Sequence, residues 1–286
     1  EMYLNEEILI HYHIRLKMVD MELRCPTGID GLDKLLSGGF PRDRSMLLSG
    51  TCGTGKTTFG VQFLYNGILK YDEPGILVTL EQNPLELKRD MLQFGFDLQK
   101  VENENKLVII DVSLSRFGSR LSYASNHAAS SIPQPVGSMS LLPDEFNMDR
   151  IMEIIISKAK RINAKRVVVD SLPALDFLLS EDESKIKNTI RQTLLSLNYR
   201  LKMEGLTTLL ITEIQDDGIA MSAHGVESYV VDGVVVLHYI SLGTEAGRSL
   251  MIRKMRATKH SEDVHPLKFI GGEGIRVLEA DEIYEV

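Results

Sequence analysis

The chain has 286 residues, 43% hydrophobic and 25% charged, the balance of a globular protein large enough to bury a full α/β core. No apolar run approaches the roughly 20 residues needed to cross a bilayer, and the first residues lack the basic-then-apolar order of a secretory signal, so a cytoplasmic protein without a membrane span is expected. The formal net charge of -8 works against nucleic-acid binding, which relies on neutralising phosphates with Lys and Arg. The two cysteines, Cys25 and Cys52, have no C-x-x-C spacing or His partner and read as reduced thiols rather than a metal site or redox pair.

Residues 1–24 read as an N-terminal extension. Ile10, Tyr12, Ile14, Leu16 and Met18 alternate with His11, His13, Arg15 and Lys17, the period of a half-buried strand that could add to a sheet edge. An unstructured extension fits equally well. His11 and His13 have no third ligand nearby and read as a solvated face. The remainder, 25–286, reads as one domain. It opens on Pro26 to Leu36, expected as a capped short helix with Ile29, Leu32, Leu35 and Leu36 on its apolar face, ended by Gly38 and Gly39.

Arg44 to Ser49 then reads as a short buried strand. It leads into Gly50-Thr51-Cys52-Gly53-Thr54-Gly55-Lys56-Thr57, a complete G-x-x-x-x-G-K-[ST] phosphate cradle, and Thr58 onward continues with helical spacing. The glycines let successive backbone N–H groups turn around phosphate oxygens, and the following helix points its positive end at the same anion. In such a loop Lys56 neutralises the β- and γ-phosphates and Thr57 takes one position on Mg²⁺.

Further strands are expected at Gly75 to Leu80, Leu107 to Asp111, Arg166 to Asp170, Thr207 to Thr212 and Gly233 to Tyr239. Most are continuous apolar runs, as in parallel strands covered on both faces. Helices are expected between them at Pro84 to Phe94, Asp149 to Ile162 and Ser184 to Glu204. Short strands at Leu250 to Met255, Leu267 to Ile270 and Gly274 to Leu278 suggest a small antiparallel C-terminal extension. The fold class is therefore α/β: a P-loop core with a mostly parallel sheet flanked by helices. The segment 113–147 is rich in Ser, Gly and Pro, has little periodicity and reads as a surface insertion.

Three strand ends carry candidate chemistry. Asp170, after three valines, is placed to hold Mg²⁺ through water. Glu81 closes the Gly75 to Leu80 strand, where the ligand crevice of a parallel sheet lies, and is the candidate base or water-positioning group. Glu213 closes a third strand, within reach of a γ-phosphate. Glu81 capping the next helix, and Asp170 capping the segment after it, are the competing structural readings.

At this point a resemblance becomes specific. Pro26-Thr27-Gly28-Ile29-Asp30-Gly31-Leu32-Asp33 before Gly38-Gly39-Phe40-Pro41, the phosphate loop, Phe63-Leu64-Tyr65-Asn66-Gly67, Asp72-Glu73-Pro74-Gly75, the Glu81 strand end and Phe94-Gly95-Phe96-Asp97-Leu98 resemble the KaiC family. That family belongs to the RecA superfamily of ATPases, near the RadA-like recombinases. The resemblance covers about residues 24–278 and implies a RecA-like core, ATP with Mg²⁺, and ring-like, often hexameric, homo-oligomers with ATP between subunits. Lys254-Met255-Arg256-Ala257-Thr258-Lys259-His260 resembles the family's K-x-R-x-x-x-H stretch, whose Lys and Arg reach the neighbouring subunit's γ-phosphate. As residues i and i+2, Lys254 and Arg256 would share one strand face; without the resemblance, a solvated basic face is the preferred reading.

The chain also departs from the family. The clock KaiC carries two such domains and this chain one; the paired catalytic Glu becomes Glu81 followed by Gln82; and Ala223 to Val230 lacks the Ser-Thr pair that the clock protein autophosphorylates. The resemblance and these departures together imply a slow Mg-dependent ATPase acting as a nucleotide-controlled oligomer or as a module that regulates an unidentified protein partner. Two alternatives stand beside it. One is a RadA-like paralogue that binds single-stranded DNA, which the acidic, Lys- and Arg-free loop from Gln215 to Glu227 does not favour. The other is a nucleotide-dependent scaffold with negligible turnover.

Overall fold

The computed structural model describes residues 23–112, 139–140, 148–174, 183–214, 222–223, 225–242 and 245–278. The expected strand at residues 10–18, most of the 113–147 insertion and most of the 215–227 loop lie outside the described residues. Among those described, no helix is long and apolar enough to cross a membrane.

Ten strands form one sheet in the order β12-β11-β10-β9-β3-β8-β7-β4-β5-β6. The central strands are β3 (Ser45–Gly50), β4 (Gly75–Thr79), β5 (Leu107–Asp111), β7 (Arg166–Asp170), β8 (Thr207–Glu213) and β9 (Gly233–Leu242). They pair in parallel, joined at one edge by the two-residue β6 (Met139–Ser140). β10 (Glu245–Met255), β11 (Val264–Ile270) and β12 (Gly274–Val277) continue the other edge antiparallel, as the tail pattern suggested. β1 (Arg24–Cys25) and β2 (Phe40–Pro41) make a separate two-stranded ribbon.

Parallel strands covered on both faces show no apolar/polar alternation, and here alternate residues feed two cores. Met46 and Leu48 of β3 pack with Phe59, Phe63 and Leu64 of α2 (Lys56–Tyr71) on one face. Leu47 packs on the other with residues of the helices Met148–Ile162 and Glu183–Met203.

The expected helix over Pro26 to Leu36 is corrected to the single turn α1 (Leu32–Leu35). The preceding residues fold back on Asp33, whose carboxylate accepts from the Thr27 backbone at 2.7 Å and its hydroxyl at 2.6 Å. A side chain that offers the backbone a local partner competes with the helix ladder, and Asp33 wins that competition here.

Beneath α2 lies a buried charge network. Arg166 is fully buried and donates to Glu73 Oε2 at 2.7 Å and to the Phe63 carbonyl at 2.9 Å. Arg42 donates to Glu73 Oε1 at 2.7 Å. Burial alone would push the Glu73 carboxyl up, but the Arg166 charge and the hydrogen bonds from Arg42 and Arg166 outweigh it and hold it below the ordinary value. Cys25, also buried, has its thiol pushed up to about 12, chiefly by desolvation; both cysteines are free thiols.

Candidate active site

The phosphate loop leaves β3 at Gly50 and enters α2 at Lys56, the strand, glycine loop and helix order expected. Gly55 caps α2 with φ of 103°, a region that costs a residue bearing Cβ but not glycine. Being glycine, it has no side chain to satisfy the first-turn N–H groups, which leaves them to an anion. Inside the loop the Thr51 carbonyl accepts from Thr54 Oγ1 and from Lys56 Nζ, each at 2.9 Å.

A cavity of about 570 Å³ opens over the loop, lined among others by Cys52, Gly53, Gly55, Lys56, Thr57 and Thr58. Gly50, Thr51 and Thr54 do not line it. Asp170, Glu81 and Glu213 do: Asp170 and Glu213 are the last residues of their parallel strands, and Glu81 lies two residues past the end of β4. Strand ends of a parallel sheet converge at that rim, which is why three carboxylates distant in sequence meet.

Asp170 has its carboxyl pushed up to about 6. Withdrawal from water is the main cause; the Thr57 hydrogen bond opposes it, while the charges of Glu81 and Glu213 add to it and that of Lys56 opposes it. Thr57 and Asp170 thus line one site with excess negative charge, which suits a divalent cation. Among the described residues no group of three acidic, His or Cys side chains forms a metal site.

Glu81 does not cap the following helix: Asn83 does, accepting from Leu85 N at 2.9 Å. The Glu81 side chain instead accepts a hydrogen bond from Ser171 Oγ at the cavity wall. Gln82 turns the other way, its amide donating to Asp90 at 2.9 Å, so Glu81 stands at the cavity without a second acid at the next position. Glu213 lies 3.8 Å from Lys56 Nζ.

Lys254 and Arg256 are not brought to this cavity. Lys254 pairs with Val234 and Met255 with Gly233, which is in turn level with Met46, so both basic residues lie at the start of β3, about 13 Å of strand below Gly50. A register shift between Ile252 and Lys254 interrupts β10, and Arg256 follows its last residue. The two nevertheless converge on one corner. Lys254 Nζ donates to the Ser228 and Val231 carbonyls at 3.0 and 2.7 Å, and Arg256 Nη1 to Asp232 at 3.4 Å. Burial and the Arg256 charge push the Lys254 ammonium below its ordinary value.

Sequence reasoning missed Ser171 and the cavity's far wall of Phe94, Arg248 and Phe269. Phe94 and Phe269 lie 5.7 Å apart between ring centroids and offer an apolar surface of the kind a nucleobase requires. Period-two alternation in β10 and β11 could mark which residues share a face. It could not show that these strands fold across the loop.

A family model described as the KaiC ATPase matches residues 25–282. The chain is 36% identical over 263 residues to a circadian clock oscillator protein KaiC of Prochlorococcus marinus, and 36% identical over 252 residues to that of Parathermosynechococcus lividus. These matches span 92% and 88% of this chain but only 46% and 42% of those proteins, so the chain covers less than half the length of these relatives. Among solved structures, a KaiC-like protein of the hyperthermophilic archaeon Pyrococcus horikoshii superposes with a TM-score of 0.71 at 38% identity, covering 90% of this chain and 99% of that one.

Proposed function

Because the chain belongs to the KaiC family of ATPase domains, we propose that it binds MgATP at the phosphate loop and hydrolyses it slowly, with a neighbouring copy supplying Lys254 and Arg256. The observation that carries this reading is the convergence of Lys56, Thr57, Asp170 and Glu81 on one cavity. A polyphosphate is a stronger partner for Lys56 than the Thr51 carbonyl it now holds. Thr57 and Asp170 would hold Mg²⁺, Asp170 through water. When bound, the ion neutralises charge on the β- and γ-phosphates. Glu81, oriented by Ser171, is the group to take a proton from an attacking water. Without a second acid at position 82, that step has a single base, which supports slow turnover.

Lys254 and Arg256 sit too far along the sheet to serve their own loop. Their role follows if copies associate head to tail, the end of one subunit's β10 facing the next subunit's cavity. A ring of copies closes such a heterologous contact, and an arginine delivered across it stabilises charge that grows in the transition state. Occupancy of the interface would then control assembly and the capture of a protein partner in the cytoplasm. The test is MgATP affinity by equilibrium dialysis together with the size of the assembly by light scattering. Binding that is lost in Lys56→Ala, and nucleotide-dependent oligomers, are expected. Undiminished affinity in Lys56→Ala would end the phosphate-loop assignment.

A further inference from the structure

One constellation beside the cavity has no part in the chemistry above. Tyr239 Oη donates to the Gly53 carbonyl at 2.8 Å, and Arg248 Nε donates to the same carbonyl at 3.1 Å. Arg248 Nη2 donates to Tyr239 Oη at 2.7 Å, closing a triangle. The guanidinium lies 5.0 Å from the Tyr239 ring centroid and 4.7 Å from that of Phe269. Among the described residues, no carboxylate lies within ion-pair distance of Arg248. The Phe269 ring itself abuts the loop, since a Cβ on Gly55 would lie 2.3 Å from its Cζ. β9, the last of the parallel strands, and β10, the first of the antiparallel extension, thus grip one peptide group of the phosphate loop.

We infer that Tyr239 and Arg248 are positioning residues, which hold the loop backbone in its phosphate-receiving form by clasping the Gly53 carbonyl. The inference rests on the nucleotide reading above and adds to it the part of the chain that shapes the cradle. A peptide unit is planar and trans, so fixing the Gly53 C=O also fixes the opposed N–H of Thr54. The loop needs such help. Gly53 and Gly55, at φ of 73° and 103°, are free to leave these conformations when nothing holds them. Ordering them at the moment of binding would subtract from affinity, whereas a clasp formed beforehand removes that cost. Two donors on one carbonyl, with the guanidinium sandwiched between two rings, restrain it more tightly than either alone.

The test uses MgATP, MgADP, adenosine and magnesium tripolyphosphate as probes on the whole chain carrying Tyr239→Phe, Arg248→Gln or both. Tyr239→Phe deletes one hydroxyl from a half-exposed ring and leaves packing intact; unchanged melting temperatures verify this. A clasp on the cradle predicts that Tyr239→Phe weakens MgATP, MgADP and tripolyphosphate alike, by roughly 3- to 10-fold for the one hydrogen bond to the loop that is lost together with the Arg248 contact to the hydroxyl, and leaves adenosine unaffected. Amide exchange in residues 50–57 rises, and the two substitutions are non-additive because they share an acceptor. Full tripolyphosphate affinity in both variants overturns the clasp while leaving the nucleotide reading in place. So does an Arg248→Gln defect confined to ligands that carry the base, which would make the arginine a base contact. No MgATP or tripolyphosphate binding by the unaltered chain overturns the nucleotide reading, and the clasp with it.

Discussion

The Ser171 hydroxyl donates a hydrogen bond to Glu81, tying the residue just beyond one parallel strand to the second residue beyond its neighbour, across the mouth of the cavity. The Leu80 amide also donates to the Asp170 carbonyl at 2.7 Å, so both backbone and side chain register Glu81 against the Asp170 strand. The candidate base and the candidate metal carboxylate are therefore positioned as one unit.

Glu81→Gln keeps the shape and volume of the side chain and removes its capacity to accept a proton. MgATP affinity should stay within a few-fold while turnover falls by roughly 10²- to 10⁴-fold, the usual worth of a positioned base. Ser171→Ala should lower turnover several-fold at unchanged affinity, because it frees Glu81 to leave its pose. Single-turnover assays with labelled ATP measure both; undiminished hydrolysis by the Glu81 variant removes it from the mechanism.

The position of Lys254 and Arg256 makes a sharper demand. Arg256→Ala should bind MgATP normally and turn over slowly, and so should an assembly built from it alone. Mixed with subunits dead at Lys56 but intact at Arg256, it should recover part of the activity, because an intact loop that borders such a subunit then meets an intact arginine. Lack of complementation over a range of mixing ratios would argue for a role within the subunit, such as the Asp232 contact already seen.

The phosphate loop, Asp170 and Glu81 were legible because each sits where a local pattern ends: a glycine run, three valines, an apolar strand. The antiparallel extension was legible as strands but not as a wall of the site. Nothing local to Tyr239, Arg248 or Phe269 says that β9 to β11 close over Gly53 and Gly55; that follows only from sheet order. The early helix was misread for a related reason, since Asp33 fits a helical face as well as it fits the turn it makes with Thr27.

The Glu73 network should set part of the acid stability. Its carboxyl is held below the ordinary value in the folded chain, so its contribution is fully present above the unfolded value of about 4.3 and is lost as pH falls through the folded one. Glu73→Gln leaves Arg166 and Arg42 without their carboxylate and should cost about 3 to 5 kcal/mol near pH 7, as expected when one partner of a buried pair is removed. Denaturant melts of both chains across pH check the sign: the difference between them should narrow below about pH 4. A gap that is constant with pH would show that shape, not charge, sets the cost.

Gly67 sets two magnitudes against each other. In the interior of α2, Ala is favoured over Gly by about 1 kcal/mol of helix propensity, so on secondary structure alone Gly67→Ala should stabilise. A Cβ there, however, would lie 2.5 Å from Arg166 Nε and 2.6 Å from its Cζ. The guanidinium is pinned by Glu73 and the Phe63 carbonyl, so it cannot yield without breaking a buried charged hydrogen bond, each worth roughly 1.5 to 3 kcal/mol. The steric term should therefore win, leaving a net loss of about 0.5 to 2 kcal/mol by denaturant titration. Arg166→Val, which has no atom beyond the γ position and so removes the obstacle, should convert the same Gly67→Ala change into a gain. If Gly67→Ala stabilises the unaltered chain, the close approach of α2 to Arg166 is not what requires a glycine at this position.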